Sequence, residues 1–525
     1  MGDGTTVAVI GLGPAGLVAV KNLAEEGFDV TGFDRHSYIG GLWQYNEADQ
    51  TSVMETTVVN ISRERGCFTD YPFPKDIPSY PTATQVQQYL ANYANHFNLA
   101  PRLRLNTCIK QVTFDENRKK WVLDIEGHGL EYFDKTVIAI GGMVGKPNLP
   151  AIEGMEKLGA NSVHSRAFKR PQDFEGKRVM VVGFGNSAAD TATQLVGVAG
   201  KVYLAHRHGA RILPRSFNGA PIDHTHSLRL FTLQSLILAY FPRFGDKFFD
   251  KFMKSLQDKS FTLRPEWGFE PPQRLPIVTD NLVPCLKAGS IESTKGIKRI
   301  LGYTTVELED GREVEIDALI WCTGYKSDFS ILDGRFDPST CPTAWASADG
   351  SNDRSLFRLY HNVFSLVKPD SLAFLGHVHF ALGGFQIFDM ASQAIGQVWK
   401  GASSLPTQCE MSAAVEKHHA WLADLAHGGH NISPGTTDAG PWMRAMDHLA
   451  GTGVNDYLGY GLKGWLFWLQ ERTYCNLLMG GIWSPHIHRV FEGKRKAWGN
   501  ARQEIERVNE AVAANKRRQE KAKAV

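Results

Sequence analysis

Two short stretches of this chain carry glycines at a spacing suited to anion binding. Val7 to Gly16 reads VAVIGLGPAG, and Val179 to Ala188 reads VMVVGFGNSA. In each, an apolar run ends in GxGxx(G/A) and an amphipathic helical pattern follows. Such a turn uses its first glycine for the tight bend and its second to let a pyrophosphate approach the backbone. The small third residue lets helix pack on strand. Phosphates then meet the free N–H groups at the helix start, where peptide dipoles favour anions. Gly11, Gly13 and Gly16 take these places in the first stretch, with Pro14 and Ala15 between them. Gly183, Gly185 and Ala188 take them in the second, with Asn186 and Ser187 opening the helix. An internal repeat of this kind points to two dinucleotide-binding domains.

The residue closing the next strand differs between the repeats. Asp34 ends VTGFD, where a carboxylate accepts ribose hydroxyls. The second repeat continues KVYLAHRHG, with no Asp or Glu between Asp190 and Asp223. Arg207 stands where the acid would be, with His206, His208 and Arg211 beside it. A carboxylate there would repel a 2′-phosphate, whereas a guanidinium grips it through a charge-assisted fork. Acid in one site and base in the other assign FAD to the first and NADPH to the second. Two dinucleotides in one chain mean hydride transfer to a flavin. A disulfide reductase would need a redox CxxC, and the chain has none. A monooxygenase needs a dry pocket around the flavin and no side-chain nucleophile.

These residues need a scaffold, and the surrounding pattern supplies one. Thr136 to Gly142 (TVIAIGG) and Ala318 to Tyr325 (ALIWCTGY) read as buried strands ending in glycine turns. Alternating segments between Arg104 and Phe133, and again between Ile297 and Ile316, read as antiparallel strands, the latter with a hairpin at Asp310-Gly311. Leu228 to Lys259 is amphipathic and rich in Phe, and reads as helices inserted in the second nucleotide domain. Core packing is the plainer expectation for them; a substrate lid or a surface touching lipid is the alternative. The expected fold class is α/β with two Rossmann-like dinucleotide-binding domains, each with accessory antiparallel strands. The FAD domain takes residues 1–170 and 326–525. The NADPH domain, 171–325, is inserted between them and carries the helical insert at about 228–259.

Bulk properties narrow the classes further. The 525 residues are 43% apolar, enough for two or three cores. Lys plus Arg is 57 against 55 for Asp plus Glu, a balance that argues against a nucleic-acid partner. Seven cysteines without CxxC or finger spacing read as reduced thiols in the cytoplasm. The opening MGDGTTVAVIGLG runs straight into a fold motif, so no signal peptide is expected. Leu372 to Phe388 is uncharged but holds His377, His379, Gln386 and several glycines. It falls short of the roughly 20 apolar residues of a membrane span, so no transmembrane segment is expected. The HxH pairs at 224/226, 377/379 and 486/488 have no third ligand at a recognisable spacing, so no metal is expected.

Several longer pieces resemble the flavin-containing monooxygenases, the class B, dimethylaniline monooxygenase-like enzymes. They are GLGPAG at 11–16, GGLW at 40–43, TTVVNISRERGCFTDYPFPKDIPSY at 56–80 and QYLANYANHFNL at 88–99. GFGNSAAD at 183–190, CTGY at 322–325, LYHNVF at 359–364 and GIWSPHIHRVFEGKRKAWGNAR at 481–502 complete the match. The family's FxGxxxHxxx(F/Y) signature is degenerate, with Leu158, Ala160, His164 and Phe168 in its places. The resemblance implies that Gly41, Leu42 and Trp43 join the FAD site. It also implies that Asn60 sits over the flavin as the catalytic amide, and that His379 and Gln386 line the substrate pocket. The implied reaction is NADPH reduction of FAD, then a 4a-hydroperoxyflavin that oxygenates nitrogen or sulfur of a small molecule with O2, as in N,N-dimethylaniline monooxygenase activity. Baeyer–Villiger oxygenation of a ketone is the alternative, though that signature tends to end in Trp where Phe168 stands. An NADPH oxidase or flavin reductase serving a partner is the rival from another class. The family's membrane forms end in an apolar segment, whereas this chain ends RRQEKAKAV. The implied enzyme is soluble, with a homodimer and a peripheral membrane contact through 228–259 left open.

Overall fold

The computed structural model describes residues 4–48, 50–270, 272–429 and 431–523. Its first sheet grows from strand Thr6–Ile10, whose side chains alternate between two cores. Val7 and Val9 pack with Leu17 and Val20 of helix Pro14–Glu25, while Ala8 and Ile10 pack with Trp121 and Phe133. A strand covered on both faces reads as an unbroken apolar run, as VAVI does. The sheet runs Leu359–Tyr360, Phe364–Ser365, Leu372–Phe374, Lys135–Ile138, Thr6–Ile10, Asp29–Phe33, Leu103–Arg104. From Leu372–Phe374 onward its pairings are parallel.

The second sheet repeats the plan. Its order is Ile291–Lys295, Lys201–His206, Arg178–Val182, Ala318–Trp321, Ser162–His164, all parallel. Val179 and Val181 face the core under helix Asn186–Leu195, and Met180 faces Val306 and Leu308. Each sheet carries a three-stranded antiparallel meander on one face. One is Ile109–Asp115, Lys120–Ile125, Gly129–Phe133, and the other is Ile297–Ile300, Thr305–Leu308, Glu313–Glu315. The second turns at Asp310-Gly311, where Gly311 has φ +83°. The α/β fold with two Rossmann-like domains is therefore in place.

One detail departs from the sequence reading, and a second adds to it. Strand Ser162–His164 pairs with Ala318–Trp321 in the second sheet, although it precedes the expected boundary at 170. A three-residue edge strand carries too little periodicity to be seen in sequence. The two crossings between units also lie together: Lys146–Pro147 pairs antiparallel with Tyr325–Lys326, and Asn148 N–H donates to Gly324 O at 2.9 Å.

The insert forms helices Leu228–Tyr240 and Pro242–Ser260. Core packing does not describe them, since only Leu228, Gly245 and Gln257 among their residues are buried. Gln257 Oε1 accepts from Ile212 N–H at 2.8 Å and Asp250 pairs with Arg211, which fixes the inward side of the longer helix. Phe244, Phe248 and Phe252 repeat at i, i+4 on another face and remain half or more exposed. Among the described residues no helix is long and apolar enough to cross a membrane.

Candidate active site

Gly11 has φ +94°, and a Cβ there would lie 2.5 Å from Ala139 O, so the turn admits only glycine. Gly13 then caps helix Pro14–Glu25 without any side-chain acceptor, leaving first-turn N–H groups free. Gly41 lies opposite. A Cβ built on Gly41 would come 3.0 Å from Gly13 Cα. The 40–43 turn is held there by Gly40 N–H on Leu12 O, 2.8 Å, and Val53 N–H on Leu42 O, 2.8 Å. A helix N-terminus roofed by a second glycine is a groove without side chains, and it fits a pyrophosphate. Asp34 is buried beside it. Leu12 N–H donates to its Oδ2 at 2.7 Å and His36 N–H to its Oδ1 at 2.9 Å. A carboxylate has further lone pairs for a ribose.

The second turn is more open. Gly185 caps helix Asn186–Leu195, again with no side-chain acceptor, and a Cβ on Gly185 would meet nothing within 4 Å. Asn186 Oδ1 accepts from Val278 N–H at 2.9 Å. Arg207 is exposed at its strand end, with Nη2 3.3 Å from Asn352 Oδ1. Lys295, exposed on the neighbouring strand, is in register with His206 and adds a second cation at this end. Sequence reading missed Lys295, because only strand pairing brings it here. The free N–H groups and the two cations fit a 2′-phosphorylated dinucleotide. His206 and Arg211 do not join them. His206 turns inward to Ser293 Oγ at 2.9 Å, and burial pushes its ring down to about 4. Arg211 is taken by Asp250 and Glu270.

Aromatic contacts bring the remaining motifs together. Phe385 meets Trp43 at 6.3 Å and Phe68 at 4.9 Å between ring centroids. This joins the GGLW turn, the 56–80 segment and helix Gly384–Trp399. Gln386, in the first turn of that helix, is buried, and its Nε2 has no partner among the described residues. His379 Nδ1 is likewise unpartnered, and burial lowers its pKa. His377 sits behind the Gly141-Gly142 turn between Phe329 and Phe357, and burial drives its ring down to about 3. Asn60 is exposed, and its Oδ1 accepts from Arg215 Nη2 of the second unit at 2.9 Å. Asp190, on the helix behind the second turn, is pushed up to about 6 by burial, with Arg215 opposing.

The two most distinctive sequence blocks meet in a buried charge cluster. Asp70 of TDYPFP pairs with Lys21 and, at 3.2 Å, with Arg489 of PHIHR. Burial alone would raise the Asp70 carboxyl, but Lys21 and Arg489 outweigh it and hold it at about 2. Arg489 also donates to Asn22 Oδ1 at 2.8 Å, and Asn22 Nδ2 donates to Asp389 Oδ1 at 2.8 Å. Helices Pro14–Glu25 and Gly384–Trp399 are thereby tied to the C-terminal block. Sequence separations of several hundred residues hid this cluster.

Comparison with known proteins agrees with this architecture. The model of the family described as flavin-binding monooxygenase-like matches residues 4–453. "Monooxygenase aurF" of Gibberella zeae is 44% identical over 515 residues, spanning 96% of this chain and 97% of the relative. "Flavin-containing monooxygenase 5" of Mus musculus is 32% identical, spanning 95% and 91%. Among solved structures, S-allyl-L-cysteine S-oxygenase from Allium sativum shares the fold with TM-score 0.62 at 22% identity, over 97% and 98% of the two chains. A closed cyclohexanone monooxygenase gives 0.59 at 17% identity, over 85% and 97%. Two dinucleotide turns, a family model spanning most of the chain and relatives matched end to end agree on FAD and NADPH as cofactors, and the chain belongs to the flavin-binding monooxygenase-like family.

Proposed function

We propose that this enzyme places one atom of O2 on a nitrogen or sulfur of a small organic substrate. The carrying observation is the pair of uncapped glycine turns with opposite charge beyond them, Asp34 in one unit and Arg207 in the other. Gly11, Gly13, Pro14, Ala15, Gly16, Asp34, Gly41, Leu42 and Trp43 hold FAD. Gly183, Gly185, Asn186, Ser187, Ala188 and Arg207 hold NADPH, with Lys295 added. Bound FAD supplies the redox chemistry, taking electrons from NADPH and passing them to O2. Asn60 offers a neutral amide at the junction of the units, able to donate without titrating. Phe329, Phe357 and neutral His377 form an apolar wall behind the 139–142 loop that excludes water. His379 and Gln386 bring unpartnered buried polar atoms to the substrate side.

Phe168 supports oxygenation of nitrogen or sulfur over a ketone. It is buried against Phe174 in the second unit, where the ketone-oxidising signature tends to carry Trp. The test is NADPH use and product mass with N,N-dimethylaniline, a thioether and a cyclic ketone. Lactone from the ketone, with the other two unchanged, would overturn the assignment. NADPH use independent of all substrates would favour the oxidase reading. Asn60→Leu should keep FAD and its reduction but release hydrogen peroxide in place of product. Losing one hydrogen bond of about 1–3 kcal/mol is enough to make that waste dominant.

The exposed stripe of the insert supports a lipid contact for an otherwise cytoplasmic enzyme. Leu233, Tyr240, Phe241, Phe244, Phe248 and Phe252 are each half or more exposed, and Arg243, Lys247 and Lys251 lie among them. A basic, aromatic amphipathic helix suits an anionic bilayer surface. Sedimentation with vesicles containing phosphatidylserine should capture the enzyme, and Phe244→Ser/Phe248→Ser should release it. A homodimer formed through this face, with no vesicle binding, would overturn it.

A further inference from the structure

Arg215 belongs to the second unit by sequence, yet its guanidinium gathers three consecutive oxygens of the first. Nε donates to Val59 O at 3.0 Å. Nη2 donates to Val58 O at 3.0 Å and to Asn60 Oδ1 at 2.9 Å. The side chain is 13% exposed. From the other side, Val59 N–H donates to Pro81 O at 3.0 Å, so the 58–60 segment is gripped between its own unit and Arg215. Arg215 is itself fixed at both ends by one carboxylate. Its N–H donates to Asp280 Oδ1 at 2.9 Å and its Nη1 to Oδ2 at 3.1 Å. The Asp280 segment is anchored in turn: Thr279 N–H donates to Leu213 O at 3.0 Å, and Val278 N–H to Asn186 Oδ1 at 2.9 Å. A path of hydrogen bonds joined by the backbone of residues 278–280 therefore runs from Asn186, which opens the helix after the second glycine turn, to the amide of Asn60.

We propose that Arg215 is the positioning residue for Asn60, and that it holds the amide in place across the junction of the two units. The inference rests on the role given to Asn60 above. Geometry makes arginine necessary. A planar fork donates along several directions at once, whereas an ammonium is a single point charge on a flexible stem. Lysine at 215 would keep the pairing with Asp280 and lose the grip on three adjacent oxygens. The bonds that Arg215 donates reach Asp280 and residues 58–60, none of them given to NADPH, so its loss should uncouple the reaction with little change in the KM for NADPH.

The test uses flavin-loaded enzyme and the variants Arg215→Ala, Arg215→Lys and Asn60→Leu. Amide hydrogen exchange across 56–61 reads the grip directly and needs no turnover. Hydrogen peroxide formed per NADPH consumed reads the consequence. Both Arg215 variants should exchange at least about 10-fold faster in this segment, as expected for lost charge-assisted bonds. Both should also raise the peroxide fraction toward that of Asn60→Leu, and adding Asn60→Leu to either should raise it no further. Arg215→Lys, which keeps its charge beside Asp280, decides the matter if Arg215→Ala fails to fold. Unchanged exchange, or tight coupling in Arg215→Lys beside an uncoupled Asn60→Leu, overturns the role of Arg215 alone. A fully coupled Asn60→Leu enzyme overturns the role of Asn60, and this inference with it.

Discussion

The two glycine turns share a pattern and a backbone shape, and they differ in what surrounds them. Around the first, Gly41 closes over Gly13, Asp34 is buried and bonded to two backbone N–H groups, and the following helix is buried over most of its length. Around the second, Gly185 faces open space and Arg207 stands exposed. On the proposed assignment of FAD to the first turn and NADPH to the second, one motif serves two residence times. An enclosed turn suits a cofactor that stays, and an open one suits a coenzyme that must arrive and depart each cycle. The first unit also carries the buried Lys21–Asp70–Arg489 cluster, which braces the helix that follows the enclosed turn.

The largest effect should come from filling the enclosed turn. Gly13→Val puts a branched side chain into the space shared with Gly41, and the purified protein should carry little flavin. Gly185→Val should keep its yellow colour and fail to be reduced by NADPH. Equal flavin content in Gly13→Val and parent, read from absorbance, would break the comparison. Next in size is the brace. Asp70→Asn leaves Lys21 and Arg489 short of a buried counter-charge and should cost about 3–5 kcal/mol in denaturant unfolding. A loss confined to a few tenths would mean that the cluster only specifies packing.

A smaller change probes the open turn. Arg207→Ala removes a charge-assisted contact of about 1.5–3 kcal/mol and should raise the KM for NADPH about 10- to 150-fold, leaving NADH unaffected. Lys295→Ala should act in the same direction and less. Matching KM values in Arg207→Ala and parent would remove the base from the coenzyme site. Acid should act most gradually. Burial holds His206, His226, His361 and His418 at about 4 and His377 and His488 at about 3. Unfolded histidine takes up its proton near pH 6.5. Between these values the unfolded chain binds more protons, so stability falls as pH drops below about 6.5 and keeps falling toward 4. Four of these six lie in the first unit, so flavin release should accompany the fall. A melting temperature flat from pH 7 to 5 would contradict this.

Local physics made much of the molecule legible. GxGxx(G/A) between an apolar run and a helical pattern places both turns, because each glycine answers a steric demand set within a few residues. Asp310-Gly311 marks its hairpin for the same reason. Features resting on distant pairing were hidden. Lys295 reaches Arg207 only because Lys201–His206 and Ile291–Lys295 are neighbours. Arg215 reaches Asn60 only because the units meet. Asp70 and Arg489 lie far apart in the chain and meet only in the folded core. The insert misled in the other direction: its apolar residues follow helical spacing, but spacing does not say whether a face meets protein or solvent.

The paired crossings at Lys146–Pro147 and Tyr325–Lys326 have a consequence of their own. Antiparallel partners stand roughly 5 Å apart, so the chain leaves the first unit and re-enters it at almost one point. The entropy of closing so long an excursion grows only logarithmically with its length. If the second unit were excised, the cut ends would already be neighbours, and a short turn could seal them. Both tethers share one pin, and away from it the second unit is tied to the first again by Arg215 on residues 58–60 and by Asp223 on Ser62 N–H.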